Sequence, residues 1–314
     1  MPKILVTGGA GFIGSNLADR LIEEGYEVVV IDNLSTGFRK NINKKAKFYK
    51  VDIRNKKKID EMFAKEKPDF VSHHAAQMDV RKSLENPLYD ADVNISGSLN
   101  ILENCRKYNV KKIIYISTGG AVYGEPEYLP ADEKHPINPI SHYGVSKHTV
   151  EHYLFLYNYI YGLNFTVLRY PNVYGPRQNP HGEAGVNAIF IEKMLKGEVP
   201  VIYGDGEQLR DYIYVGDIIE ANVLALSRGD KGFYNIGAGR GISVNQIYAL
   251  LQKIINFAEK AVYAKARLGE INRIFIDSKL AGRELGWYPR VSFEEGLKKT
   301  VDWFKKKKID KFPN

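Results

Sequence analysis

The segment Val6-Thr7-Gly8-Gly9-Ala10-Gly11-Phe12-Ile13-Gly14 constrains this chain more than any other. An apolar run, Ile4 to Val6, enters it and reads as a buried strand; an amphipathic run ending near Glu24 leaves it and reads as a helix. Strand, tight glycine turn and helix start make a cradle for a pyrophosphate, because glycines let the backbone approach and the first helix amides carry partial positive charge. Alone, such a pattern also fits an ordinary tight turn. A second strand-like run, Glu27 to Ile31, ends in Asp32, at the roughly 20-residue spacing of an acid that grips an adenosine ribose. A carboxylate there prefers free ribose hydroxyls and repels a 2′-phosphate, which favours NAD over NADP. Arg39 and Lys40 nearby would soften that preference.

The same texture continues through the first half. Strand-like runs at Ile4–Val6, Val28–Ile31, Lys47–Val51, Phe70–Ser72, Ile113–Ser117 and Phe165–Leu168 alternate with helical patterns near 12–24, 57–65, 93–107 and 144–161. Alternation of this kind predicts a Rossmann-type doubly wound parallel sheet, an α/β fold whose ligands lie at the carboxyl ends of the strands. Asp32, Asp52, His73 to Ala76, Thr118 and Asn172 all follow strand-like runs. Beyond Tyr170 the chain becomes rich in Pro and Gly, with a helix near Val186–Lys196. The expected division is a dinucleotide domain over 1–172, rejoined by 210–238, and a smaller interleaved C-terminal α/β lobe from 173–209 and 239–314. Short extended pieces are expected around Trp287 and Pro289.

Composition narrows the partners. Of 314 residues, 44% are apolar and 26% charged, enough for a large core. The net charge of +8 is concentrated in lysine runs such as Lys56 to Lys58 and Lys305 to Lys308, which read as solvated faces; no nucleic-acid motif accompanies them. A single cysteine, Cys105, leaves no intrachain disulfide and no cysteine metal cluster, and reads as a small core residue. Adjacent His73 and His74 point to opposite faces of a strand, so no metal site is expected. With no membrane-length apolar run and no signal-peptide pattern, the expected location is the cytoplasm.

Tyr143 and Lys147 stand four residues apart and share one face if 144–161 is helical. A phenol with a pKa near 10 is a poor base unless positive charge favours its anion. A neighbouring ammonium and an oxidised nicotinamide would both do so, making Tyr143 a candidate proton acceptor and Lys147 a candidate ribose ligand. Such pairs are also common as plain structure in a chain with 21 tyrosines.

These pieces together resemble the extended short-chain dehydrogenase/reductases, and within them the UDP-glucose 4-epimerase branch. The resemblance is carried by the glycine turn, Asp32-Asn33-Leu34, Asp52-Ile53, Ala75-Ala76, Asn94, Ser117-Thr118 before Val122-Tyr123-Gly124, Tyr143 with Lys147, and Leu168 to Arg177. Later come Gly204-Asp205-Gly206, Arg210-Asp211-Tyr212, Asn235-Ile236-Gly237 and Arg267 with Gly269-Glu270, so it spans essentially the whole chain. It implies NAD held by Gly8, Gly11 and Gly14 around the pyrophosphate and by Asp32 at the adenosine ribose, with Phe12, Ile13, Asn33, Ser35, Thr36 and Gly37 also in the cofactor site. Asp52 and Ile53 would flank the adenine; Ala75, Ala76, Asn94, Ser117, Tyr143, Lys147 and Pro171 would complete the cofactor site. It further implies a UDP-sugar bound by Thr118, Tyr143, Asn172, Val201, Tyr203, Arg210, Arg267 and Glu270. Guanidinium groups suit a diphosphate, although Arg210 beside Asp211 and Arg267 near Glu270 also fit local salt bridges.

One departure stands out. The branch commonly carries a serine or threonine four residues before the tyrosine matching Tyr123, and here that residue is Gly119. Thr118 is the expected replacement, with Ser117 the other nearby hydroxyl. Related dehydratases and decarboxylases place acids where this chain has Gly120 and Ala121, so elimination lacks its acid/base pair. The resemblance therefore implies C4 epimerisation of a UDP-hexose through a 4-keto intermediate, catalysed by Tyr143, Lys147 and Thr118. N-acetylhexosamine or glucuronate nucleotides remain open as substrates, with Ile274 near the position that sets room around the sugar; a non-catalytic NAD-sensing protein is the reading from another class. It also implies a homodimer through the helices near 93–108 and 143–161, where Tyr153, Leu154, Leu156, Tyr157 and Ile160 read as an apolar stripe.

Overall fold

The computed structural model describes residues 1–181, 185–266 and 271–307. Its first half runs β1 (Lys3–Thr7), α1 (Phe12–Glu23), β2 (Glu27–Asp32), β3 (Lys47–Lys50), α2 (Lys56–Glu66), β4 (Phe70–His73), α3 (Val80–Glu85), α4 (Pro87–Ala91), α5 (Gly97–Lys107), β5 (Lys112–Thr118), α6 (His142–Tyr161) and β6 (Asn164–Tyr170). The second half runs β7 (Asn172–Tyr174), α7 (Val186–Lys196), β8 (Val201–Tyr203), β9 (Leu209–Arg210), β10 (Tyr212–Tyr214), α8 (Val215–Ala225) and β11 (Gly232–Asn235). It ends with β12 (Ile242–Ser243), α9 (Val244–Ile255), β13 (Val262–Ala264), β14 (Arg273–Ile274), α10 (Lys279–Leu285) and α11 (Phe293–Lys307).

Seven strands form one parallel sheet in the order β11-β6-β5-β4-β1-β2-β3. The strands are continuous apolar runs because both faces are covered. Ile4, Val6, Val28 and Val30 face α1 and α8; Leu5, Val29 and Ile31 face the core beneath α2, α5 and α6. The order reverses between β1 and β4, which places the topological switch point beside the glycine turn.

Several element boundaries differ from the sequence reading. The helix expected from residue 93 begins earlier, at Pro87, and passes through a π-helical turn, Asp92–Ser96, into α5. No strand forms at Trp287 or Pro289. Instead Ala281, Leu285 and Trp287 pack with Ile4, Val6 and Ile218, and the Trp287 indole donates to the Asp217 carbonyl at 2.8 Å. Residues 279–287 therefore cover the large sheet. The stripe on α6 also divides: Leu154 and Tyr157 are buried in the core, while Leu156 and Ile160 are 42% and 55% exposed. Cys105 lies in the core, as expected. No described helix is long and apolar enough to cross a membrane.

The C-terminal half has its own core, in which Phe190, Ile191, Met194, Ile247, Leu251, Leu297 and Val301 join α7, α9 and α11. Its strands make small pairs: β8 with β13, β7 with β10, and β9 between β12 and β14.

Candidate active site

The glycine turn folds so tightly that only glycines close it. Gly8 has φ +67°, and a Cβ on it would stand 2.8 Å from the Ala75 amide nitrogen; a Cβ on Gly14 would collide with the Gly8 carbonyl. Gly11 starts α1 with no side chain capping the helix, which leaves the first-turn amides of Phe12 and Ile13 facing outward. Asp32 ends β2 beside this turn, nine-tenths buried. Its oxygens accept from the amides of Ala10 (3.0 Å) and Leu34 (2.7 Å), and burial raises its pKa. The donors of this turn suit a dinucleotide diphosphate, and the residues present fit NAD on chemical grounds.

Neighbouring predicted residues fall into two groups. Gly37 packs on the turn, where a Cβ would lie 2.9 Å from Ala10, and exposed Ser35 and Thr36 precede it. Asn33 donates to Asp52 at 3.0 Å; Arg54 holds both Asp52 oxygens, keeping that carboxyl well below its usual range. Ile53 points inward, against Gly97, so only its main chain is left to border a ligand. Ala75 and Ala76 follow β4, with the Ala75 amide donating to Thr7 Oγ1. His73 and His74 diverge as expected: His73 lies between Thr7 and Ser98, His74 against Ser72, and burial depresses both to about 3. Among the described residues no cluster of three metal-ligating side chains occurs.

The reactive pair sits on the first turns of α6. That helix starts at His142, before the expected residue 144, because the Ser141 hydroxyl caps it by accepting from the Gly144 amide. Lys147 is buried with its Nζ 4.5 Å from the centroid of the Tyr115 ring, and burial pushes its pKa down to about 7 against the opposing fields of Glu151 and Asp90. Tyr143 is half-buried, and burial followed by the Asp90 carboxylate raises its pKa. The chain's own groups thus do not favour the phenolate, contrary to the effect expected of the lysine. An oxidised nicotinamide, when bound, would supply positive charge that favours the phenolate.

The loop after β5 lies against this helix. A Cβ on Gly119 would press on Ile276 Cδ1 at 2.8 Å, so a larger residue there would require the Ile276 side chain to shift. Gly120 borders Thr118 Oγ1, whose strand-end position is nine-tenths buried. Ser117 is buried more deeply, and its hydroxyl bears on Glu151. Ile274 packs with Val122, Tyr123 and Ile276 beneath the loop, so it supports this wall from behind and does not itself set open space.

Pro171 follows β6, and exposed Asn172 opens β7. Val201 and Tyr203 are on β8, and Arg210 is on β9, where its guanidinium donates to the carbonyls of Leu209 and Asn272. Asp211 accepts from the amides of Ala238, Gly239 and Ile276, and burial pushes it up to about 6. Arg267 and Glu270 lie outside the described residues.

Some of the site escaped sequence reasoning. Asn94, expected to touch the cofactor, commits its amide to Gln77 and Asp90 and so braces the loop carrying Ala75 and Ala76. Glu151 and Arg169 form a buried bidentate pair (3.0 and 2.6 Å), which continues through Tyr123 to Asn235. Only the i,i+4 spacing of Lys147 and Glu151 hinted at this.

Residues 4–237 match the NAD dependent epimerase/dehydratase family. A putative UDP-glucose 4-epimerase of Methanocaldococcus jannaschii is 53% identical over 96% of this chain and 98% of that protein. The Thermotoga maritima UDP-glucose 4-epimerase solved with UDP-glucose superposes with a TM-score of 0.96 at 50% identity, covering 97% of this chain and 99% of that one. The Thermus thermophilus UDP-glucose 4-epimerase complex with NAD has a TM-score of 0.92 at 46% identity, covering 96% and 99%. With a glycine turn at the switch point, an acid at the end of β2 and a Tyr–Lys pair on α6, the chain belongs to the NAD dependent epimerase/dehydratase family.

Proposed function

We propose that this chain inverts the configuration at C4 of a UDP-hexose, UDP-glucose and UDP-galactose being the pair interconverted. The observation that carries this reading is the reactive pair on α6 together with the stretch Gly119 to Ala121 after β5: Tyr143 and Lys147 are in place, while Gly119, Gly120 and Ala121 carry no acid to drive elimination. The nearly complete coverage of relatives named as UDP-glucose 4-epimerases supports it.

In this reading residues 1–172 and 210–238 hold NAD, and 173–209 with 239–314 hold the nucleotide-sugar. The amides of Phe12 and Ile13 and the turn at Gly8, Gly11 and Gly14 take the pyrophosphate; Asp32, Asn33, Ser35, Thr36 and Gly37 surround the ribose. NAD, when bound, would supply hydride transfer at C4, out from one face of the carbon and back to the opposite face. Tyr143 accepts the proton of the C4 hydroxyl and returns it to the same oxygen after the 4-keto sugar has turned to present its other face. Lys147 orients the nicotinamide ribose, and the Thr118 hydroxyl bonds the sugar 4-oxygen. Asn172, Val201, Tyr203, Arg210, Arg267 and Glu270 anchor the nucleotide, so the intermediate is retained while weaker sugar contacts let it turn. The protein acts in the cytoplasm as a homodimer, joined through the exposed apolar residues of α6, among them Phe155 and Tyr159.

The test is to incubate purified protein, without added NAD, with UDP-glucose, UDP-N-acetylglucosamine and UDP-glucuronate separately. Formation of the C4 epimer of UDP-glucose is the expected result. Failure to interconvert any C4 pair overturns the reading, and exclusive turnover of another sugar reassigns the substrate.

A further inference from the structure

Asp90, in α4, is wholly buried. Its Oδ1 accepts from Gln77 Nε2 and Asn94 Nδ2, each at 3.0 Å, and its Oδ2 accepts from Ser146 Oγ at 2.6 Å. The three donors come from separate segments: the loop after β4, the π-helical turn and the reactive helix α6. All three are neutral, an arrangement suited to an acceptor-only carboxylate, and among the described residues none of these partners is a cation. Burying a carboxylate is costly unless it is hydrogen-bonded and paired, and here hydrogen bonds from neutral donors alone offset the cost.

We propose that Asp90 is a positioning residue for the reactive pair, tethering α6 through Ser146 and imposing its negative charge on Tyr143 and Lys147. Ser146 lies next to Lys147 and three residues beyond Tyr143, so the tether acts on the turn that carries both. π-Helical insertions recur where a side chain must be aimed, and here the turn brings Asn94 onto Asp90. The groups around Lys147 are His73 from β4 and His74 just beyond it, Tyr115 from β5, Tyr143 and Glu151 on its own helix α6, and Asp90 from α4. The histidines are held neutral, and the charged side chains of α3 (Arg81, Lys82 and Glu85) are exposed to solvent. Asp90 and Glu151 are therefore the anions acting on this lysine, and Glu151 is already paired with Arg169.

The inference rests on the reading in which Tyr143 and Lys147 act together, and its test separates the two. An anion raises the proton affinity of every nearby group, so removing it lowers both. In Asp90→Asn, with the Oδ1 bonds kept, both limbs of the kcat–pH profile move to lower pH by about half a unit or more. Independently of turnover, the Lys147 signal in [ε-¹³C]lysine NMR, assigned with Lys147→Met, titrates at lower pH in Asp90→Asn than in the wild type. Ser146→Ala keeps the charge and removes the tether, so kcat falls about tenfold with the profile in place. Equal loss at every pH with an unmoved lysine titration reduces Asp90 to a structural role and overturns the proposal, as does wild-type behaviour of both variants. If the wild type turns over no nucleotide-sugar, the functional reading fails and the lysine titration alone decides for or against Asp90. If Asp90→Asn does not fold, Ser146→Ala decides, and unchanged kcat in it overturns the tether.

Discussion

Gly144 on α6 stands so close to Ala121 that a Cβ on the glycine would lie 2.7 Å from the Ala121 carbonyl oxygen. The helix bearing Tyr143 and the loop following Thr118 are therefore in direct main-chain contact. Gly144→Ala must separate them. A displacement of about 1 Å between reacting groups costs about 10²-fold in rate. The expected outcome is a kcat reduced by 10-fold or more with the thermal transition still cooperative, checked by steady-state kinetics and calorimetry. Wild-type kcat would show that the loop does not need this contact.

Tyr143→Phe removes the proposed base and leaves the ring. It should cut kcat by about 10²-fold or more with little change in the amount of NAD that copurifies. Thr118→Val should also lower kcat, whereas Ser117→Ala should lower it less. The reverse order in the two hydroxyl variants would transfer the sugar contact to Ser117.

Acid should destabilise the protein through its paired histidines. His73 and His74 are depressed from 6.5 to about 3, so the unfolded chain binds more protons than the folded one between these values. The stability they contribute is complete above pH 6.5 and is lost as pH falls toward 3. By pH 5 the loss is about 2 kcal/mol for each histidine, at about 1.4 kcal/mol per pH unit. Guanidinium unfolding at pH 7.5 and pH 5 measures it, and His74→Gln should remove about half of the difference.

Lys147 acts in the same sense in a higher pH window. Its pKa falls from 10.5 to about 7, so it costs stability below pH 7 and is progressively relieved as pH rises from 7 toward 10.5. Wild-type protein should therefore gain stability relative to Lys147→Met as pH is raised from 6 to 9. A constant difference across that range would mean that the lysine keeps its ordinary affinity for the proton.

The Glu151–Arg169 pair is almost fully buried, with side-chain exposures of 2% and 4%. Arg169→Met leaves the Glu151 carboxylate without its cation and should cost about 3–5 kcal/mol by denaturant unfolding. Adding Glu151→Gln should recover much of that loss, and a strictly additive double variant would mean that the two side chains do not interact.

The local signals in the chain were legible because they depend on near neighbours. Val6 to Gly14 announced its strand, turn and helix because glycine turn chemistry and apolar periodicity act over a few residues. Asp32, Tyr143 and Lys147 could be singled out because their spacings are short. What tertiary structure alone decided depends on long-range packing. Asp90 reaches Ser146 across 56 residues, and Trp287 reaches the Asp217 carbonyl across 70. Ile276, far along the chain, packs its Cδ1 into the space beside Gly119. Loop closure brings such groups together only when the whole core is formed, so no local periodicity encodes them.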